Sequence, residues 1–255
     1  MPHIQIAKAG RVTTLTLDRP EVLNAVDPQM HEELQAAFDD FAADPEQFIC
    51  VVTGAGERAF CAGSDLKVRD RHRYPKDGYA GLIERFDLSK PVIAAVNGLA
   101  LGGGFEIALA CDLIIAARTA RFGLPEPLVG AVALGGGMHR LARQIGLKQA
   151  MGMILSARQV SAEEGLALGF VTEVVEPEDL AAATGRWCEA ILRASPMSIR
   201  ASKETVMRGL DEPSLEAAIG AQKSYPAFAA WLASEDAREG PKAFAEKRPP
   251  VWKGR

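Results

Sequence analysis

Three glycine-rich segments of the 255-residue chain carry the residues whose types and spacing could do chemistry. They are AFCAGSDLK at 59–67, NGLALGGGFEIALACD at 97–112 and FGLPEPLVGAVALGGG at 122–137. Glycines 102–104 fall between an apolar strand pattern and an apolar helix pattern. A turn of that kind leaves N–H groups unpaired at a helix N-terminus, where the dipole favours negative charge. It suits a phosphate, or the oxyanion of a polarised thioester carbonyl. A dinucleotide loop is excluded on detail: Gly102-Gly103-Gly104-Phe105-Glu106-Ile107 lacks the last glycine of G-x-G-x-x-G, and no phosphate-loop lysine follows.

Glu106 falls in the first turn of the helix pattern, among Phe105, Ile107, Ala108 and Leu109. A carboxylate there stabilises the helix N-terminus by ~0.3–1 kcal/mol. Desolvated by such neighbours, it also titrates in a range useful for proton transfer. Glu126 is held between Pro125 and Pro127 in a rigid loop, although loop glutamates as a class are solvated. Two carboxylates beside two glycine turns suggest paired proton transfer. Hydrolase arrangements fail: Ala62-Gly63-Ser64-Asp65-Leu66 is not G-x-S-x-G, and His3, His31, His72 and His139 follow no triad order.

Strand and helix signals alternate around these segments. Strands are expected at 11–17, 48–53, 91–96, 113–117 and 171–175, with 48–53 a continuous apolar run covered on both faces and 91–96 another buried strand. Asp27-Pro28 caps a helix running to Ala43. Further helices are expected at 78–88, 105–112, 136–145, 148–154, 161–167, 178–194, 196–208 and 213–234, and the charged stretch 67–77 reads as a mobile surface loop. Composition shifts near residue 180 from a mixed α/β core to an alanine-rich helical part.

The net charge of −4 argues against nucleic-acid binding. Cys50, Cys61, Cys111 and Cys188 fall at irregular spacings, so neither a metal site nor a disulfide framework is expected, and a reducing cytoplasm is the natural compartment. No secretory leader is expected from Met1-Pro-His-Ile-Gln-Ile, and no uncharged run approaches the ~20 residues that span a bilayer.

Taken together, LDRPEVLNAVD, VVTGAGERAFCAGSDLK, KPVIAAVNGLALGGGFEIALACDLIIAA, FGLPEPLVG and EGPKAFAEKRPPVWKGR resemble the enoyl-CoA hydratase/isomerase (crotonase) superfamily, in order and along the whole chain. The resemblance implies an α/β fold, the crotonase-type ββα superhelix over 1–195, with a C-terminal helical oligomerisation region over 196–255. It implies reversible hydration of a 2-enoyl-CoA thioester, with Glu106 and Glu126 as the acid–base pair. The backbone N–H groups of Ser64 and Gly103 become the oxyanion hole. Coenzyme A, part of the substrate, is expected along Val22, Ala62, Asp65 and Leu66, with Phe244 and Lys247 reaching it, often from a neighbouring subunit. A homotrimer, or a hexamer as a dimer of trimers, is implied, with no metal or separate cofactor.

Within the superfamily the sequences GGGFE, LPE and AFAEKRPPVWKGR are most similar to carnitinyl-CoA dehydratases and bacterial hydratases related to them. The same-fold alternative is a Δ3,Δ2-enoyl-CoA isomerase, which manages with one carboxylate. Some superfamily members bind RNA, but the acidic charge and the lack of interleaved basic and aromatic residues speak against that here. One departure bears on acyl preference: hydratases carry proline–glycine where this chain has Ala133-Leu134 before Gly135.

Overall fold

The computed structural model describes residues 1–68 and 74–255, so the middle of the expected loop 67–77 lies outside the described residues. The chain opens with an antiparallel pair, β1 (Ile4–Ala9) and β2 (Val12–Leu17). Helix α1 (Pro28–Ala43) follows, its first turn capped by Asp27, which accepts from the Met30 N–H at 2.8 Å. Thereafter each lap of chain lays one strand in each of two sheets: β3 (Ile49–Gly54) then β4 (Ala59–Cys61), and β5 (Val92–Val96) then β6 (Leu99–Leu101). Helix α2 (Gly103–Ala110) intervenes before β7 (Leu113–Ala117) and β8 (Arg121–Gly123).

Helices α3 (Gly137–Ile145) and α4 (Leu147–Ser156) lead to β9 (Val160–Ser161), α5 (Ala162–Leu168) and β10 (Glu173–Val175). The chain ends in α6 (Leu180–Leu192), α7 (Pro196–Gly209), α8 (Leu215–Ala221), α9 (Pro226–Ala233) and α10 (Glu235–Ala245). The larger sheet runs β1-β2-β3-β5-β7-β10, parallel beyond β2, and the smaller runs β4-β6-β8-β9. This is a ββα superhelix.

The apolar runs explain the layering. In the larger sheet Cys50, Val52, Val92, Ala94, Val96, Ile114 and Ala116 face one core, which also takes α1 and α2. Their neighbours Ile49, Val51, Ile93, Ala95, Ile115 and Ala117 face a second core closed by Leu180, Ala183 and Cys188 of α6. A strand with period-2 side chains and two covered faces must be apolar throughout, as these are. Phe105, Phe122 and Phe170 meet in the first core with ring centroids 5.1–5.4 Å apart.

Two expected helices are corrected. The helix expected over 78–88 is instead a 3-10 turn, Tyr79–Gly81, followed by irregular chain. Gly78, Ala80 and Gly81 have φ of 76°, 57° and 61°, and the Ala80 N–H is taken by His31 Nδ1 at 2.9 Å rather than by a helical carbonyl. The single helix expected over 213–234 breaks before Pro226, which has no N–H to give and holds Tyr225 in the extended region. The tail forms α10, and β1 forms an edge strand; neither was expected, because β1 buries only Ile4 and shows no alternation.

Close approach of α2 to β4 fixes Gly104. A Cβ there would run into the Cys61 carbonyl oxygen, a backbone atom with nowhere to go. Gly104→Ala is expected to cost more than ~3 kcal/mol of stability. Thermal unfolding checks it, and a variant melting with the wild type would refute the packing argument.

Candidate active site

The site forms where β4 and β6 end and α2 begins. A parallel bridge joins Val26 to Ser64: the Val26 N–H donates to the Gly63 carbonyl at 2.8 Å, and the Asp65 N–H to the Val26 carbonyl at 2.9 Å. In that pattern the bridged residue's own N–H points away from its partner strand. Ser64 N–H therefore points away from Val26. Gly102 turns the chain with φ 55° and ψ −129°, a region only glycine enters freely, and leaves Gly103 as the first helical residue with an unpaired N–H. The two segments touch: a Cβ on Gly63 would lie 3.2 Å from the Gly103 nitrogen. Two backbone donors thus converge where a helix dipole adds positive potential.

Glu106, one turn into α2, is 3% exposed. Its Oε1 accepts from the Gly137 N–H at 3.0 Å, and the Gly135 N–H also favours its charged form. Burial outweighs both and, with the neighbouring Glu126 charge, pushes the carboxyl up to about 7. Gly135 and Gly137 leave the room it needs, since a Cβ at 137 would sit 2.7 Å from Glu106 Cγ. Arg140, one turn into α3, lends a partly compensating positive charge and donates to the Ile83 carbonyl at 2.6 Å.

Glu126 begins a 3-10 turn, Glu126–Val129, after Pro125. It is half-buried, and burial raises its pKa. Its Oε1 lies against Gly102, 2.9 Å from where a Cβ would be, while Oε2 is buried without a hydrogen-bond partner among the described residues. An acceptor left unsatisfied in this way costs about 1–3 kcal/mol unless a bound molecule meets it. The loop beyond it exposes Leu128, Val129, Val132 and Leu134, whereas Ala133 is buried in the first core.

Of the residues expected along coenzyme A, Val22, Ala62, Asp65 and Leu66 are brought together. The Ala62 N–H donates to the Leu23 carbonyl at 3.0 Å, directly after the 3-10 turn Pro20–Val22. The Asp65 side chain is committed to Arg19 at 3.1 Å and to the Lys67 N–H at 3.1 Å, and Leu66 is exposed. Phe244 and Lys247 are elsewhere in the chain. Both are exposed at the end of α10, which packs on α7 and α9. Helix α7 is pinned at the opposite end of the larger sheet, where Lys203 Nζ donates to the Lys90 carbonyl and to Asp112.

Sequence reasoning missed Tyr79 and His31. Tyr79 is buried, its hydroxyl 3.2 Å from Ser64 Oγ, and its phenol tip fills the space a Gly103 Cβ would need. His31 packs edge-on against it at 4.6 Å. Treating 78–88 as a helix hid Tyr79; the glycines bracketing it at 78 and 81 were the available signal. Among the described residues there is no cluster of His, Cys, Asp and Glu that could hold a metal, and no helix long and apolar enough to cross a membrane.

A two-sheet ββα superhelix with paired carboxylates at a glycine turn defines a crotonase-type enzyme. The enoyl-CoA hydratase/isomerase family model matches residues 7–255, and the chain belongs to that family. A carnitinyl-CoA dehydratase from Salmonella typhi is 42% identical over 262 residues, covering 99% of this chain and 98% of that one. Among solved structures, an enoyl-CoA hydratase from Mycobacterium marinum superposes with a TM-score of 0.92 at 38% identity, over all of both chains. Another, from Mycobacterium tuberculosis H37Rv, gives 0.93 at 36% identity, again over all of both.

Proposed function

We propose that this lyase adds and removes water across the α,β double bond of a 2-enoyl-CoA, with Glu106 and Glu126 as the acid–base pair and Ser64 N–H and Gly103 N–H holding the thioester oxygen. The observation that carries the reading is the pairing itself: two desolvated carboxylates flank the turn at which two backbone donors converge. Donors aimed at the thioester oxygen stabilise the enolate as its charge develops, and one such donor is worth ~3 kcal/mol in the transition state. Water is assigned chiefly to Glu126, whose Oε2 has no protein partner among the described residues. Glu106, titrating at about 7, is matched to giving and taking the α-proton near neutrality.

Coenzyme A is proposed to follow Val22, Ala62, Asp65 and Leu66. Phe244 and Lys247, remote from the site along their own chain, are proposed to reach the coenzyme of a neighbouring subunit in a trimer or hexamer, with 196–255 as the oligomerisation region. No separate cofactor is needed for this chemistry. Four buried free cysteines accord with a reducing cytoplasm. A second reading narrows the acyl group to carnitinyl, favoured by the 42% identity to dehydratases of that name.

The test is loss of enoyl-thioester absorbance on adding protein, across 2-enoyl-CoAs from crotonyl upward and crotonobetainyl-CoA. No change with any member sinks the hydration reading. Turnover of crotonobetainyl-CoA alone selects the second.

A further inference from the structure

The turn at 78–81 aims a phenol into the site at a conformational cost. Ala80 adopts φ 57° between two positive-φ glycines, and such a residue costs about 1–3 kcal/mol that its surroundings must sustain. The surroundings are explicit. His31 Nδ1 accepts the Ala80 N–H at 2.9 Å, so its proton resides on Nε2. Burial lowers the His31 pKa to about 4, which keeps this acceptor in place at neutral pH. The His31 ring stands at 86° to Tyr79, and the Gln35 backbone closes on Gly81.

The Tyr79 hydroxyl ends beside both proposed oxyanion donors, 3.2 Å from Ser64 Oγ and in contact with Gly103. Burial raises the phenol's pKa well above its ordinary value, so it stays a neutral hydroxyl that accepts from Ser64 Oγ.

Resting on the oxyanion-hole reading above, we propose that Tyr79 is a positioning residue: its hydroxyl accepts from Ser64 Oγ while its ring tip packs on Gly103, and it thereby holds the two segments where their N–H groups meet one thioester oxygen. Backbone donors need no side chain of their own, so a serine at 64 tied to a hydroxyl at 79 acts by fixing where the turn presents them.

The experiment compares Tyr79→Phe, Ser64→Ala and the double variant by two readouts. One is the infrared carbonyl band of bound butyryl-CoA, a saturated thioester that cannot be hydrated. The other is kcat against KM for enoyl-CoA hydration. Wild-type protein should shift the band to lower frequency. Y79F should lose part of that shift and about 10-fold in kcat, the worth of one neutral hydrogen bond, with KM within about 2-fold. S64A should lose at least as much, and the double variant no more than S64A alone. An unchanged band and kcat in Y79F overturn the proposal, as does additivity in the double variant. A wild type that leaves the band unmoved overturns the oxyanion-hole reading itself, a result distinguishable from failure of Y79F alone.

Discussion

Replacing Glu126 with Gln should lower kcat for enoyl-CoA hydration about 10²–10⁴-fold, the range a positioned general base supplies, while leaving the fold intact. Glu126 is half-buried on a proline-flanked 3-10 turn, and among the described residues its Oε2 has no hydrogen-bond partner that the amide would lose. The protein therefore loses little structurally, and the reaction loses the group assigned to water. KM should change far less than kcat, since the proposed role of the carboxylate is toward water and not toward coenzyme A. The same variant separates the two same-fold reactions: an isomerase relying on Glu106 alone would keep its rate. Retention of wild-type hydration by E126Q would remove Glu126 from the mechanism.

The parts of this molecule that were legible in its sequence share one property: their signals are local. The apolar runs ICVVT, VIAAV and LIIAA announce strands, and these are covered on both faces. Asp27-Pro28 announces a helix start, and Asp27 caps it. Glu106 and its glycine turn were readable because helix start, apolar neighbours and carboxylate lie close together in the chain.

What was not readable depends on distant chain. Burial of Glu106 is completed by Gly135 and Gly137, well beyond the end of its own helix, and no local pattern joins them. The turn carrying Tyr79 is diverted from a helix by positive φ at Gly78, Ala80 and Gly81, and the capture of its Ala80 N–H by His31, 49 residues earlier, has no local signal. Short strands such as β4 and β8 show no periodicity over 3 residues, so only their pairing reveals them.

Glu106→Gln should show two opposite effects, on activity and on stability. Activity falls about 10²–10⁴-fold, because the amide can neither take nor give the α-proton. Stability moves the other way at alkaline pH. The folded carboxyl titrates at about 7 against an ordinary value of 4.5, so between those values the folded state holds more protons than the unfolded state. Stability from this group is fully present below about pH 4.5 and is lost as pH rises through 7. That difference corresponds to about 3 kcal/mol at most.

The E106Q amide is neutral throughout and escapes this loss, although its NH₂ cannot accept from Gly135 N–H as the second carboxylate oxygen does. Urea unfolding of both proteins at about pH 5 and about pH 8, at one protein concentration, should therefore show E106Q gaining on the wild type by about 1–3 kcal/mol across the interval. Parallel stability profiles would mean that Glu106 is not held in a desolvated, protonatable state. An active site that keeps an acid poised at neutrality must leave that stability unused.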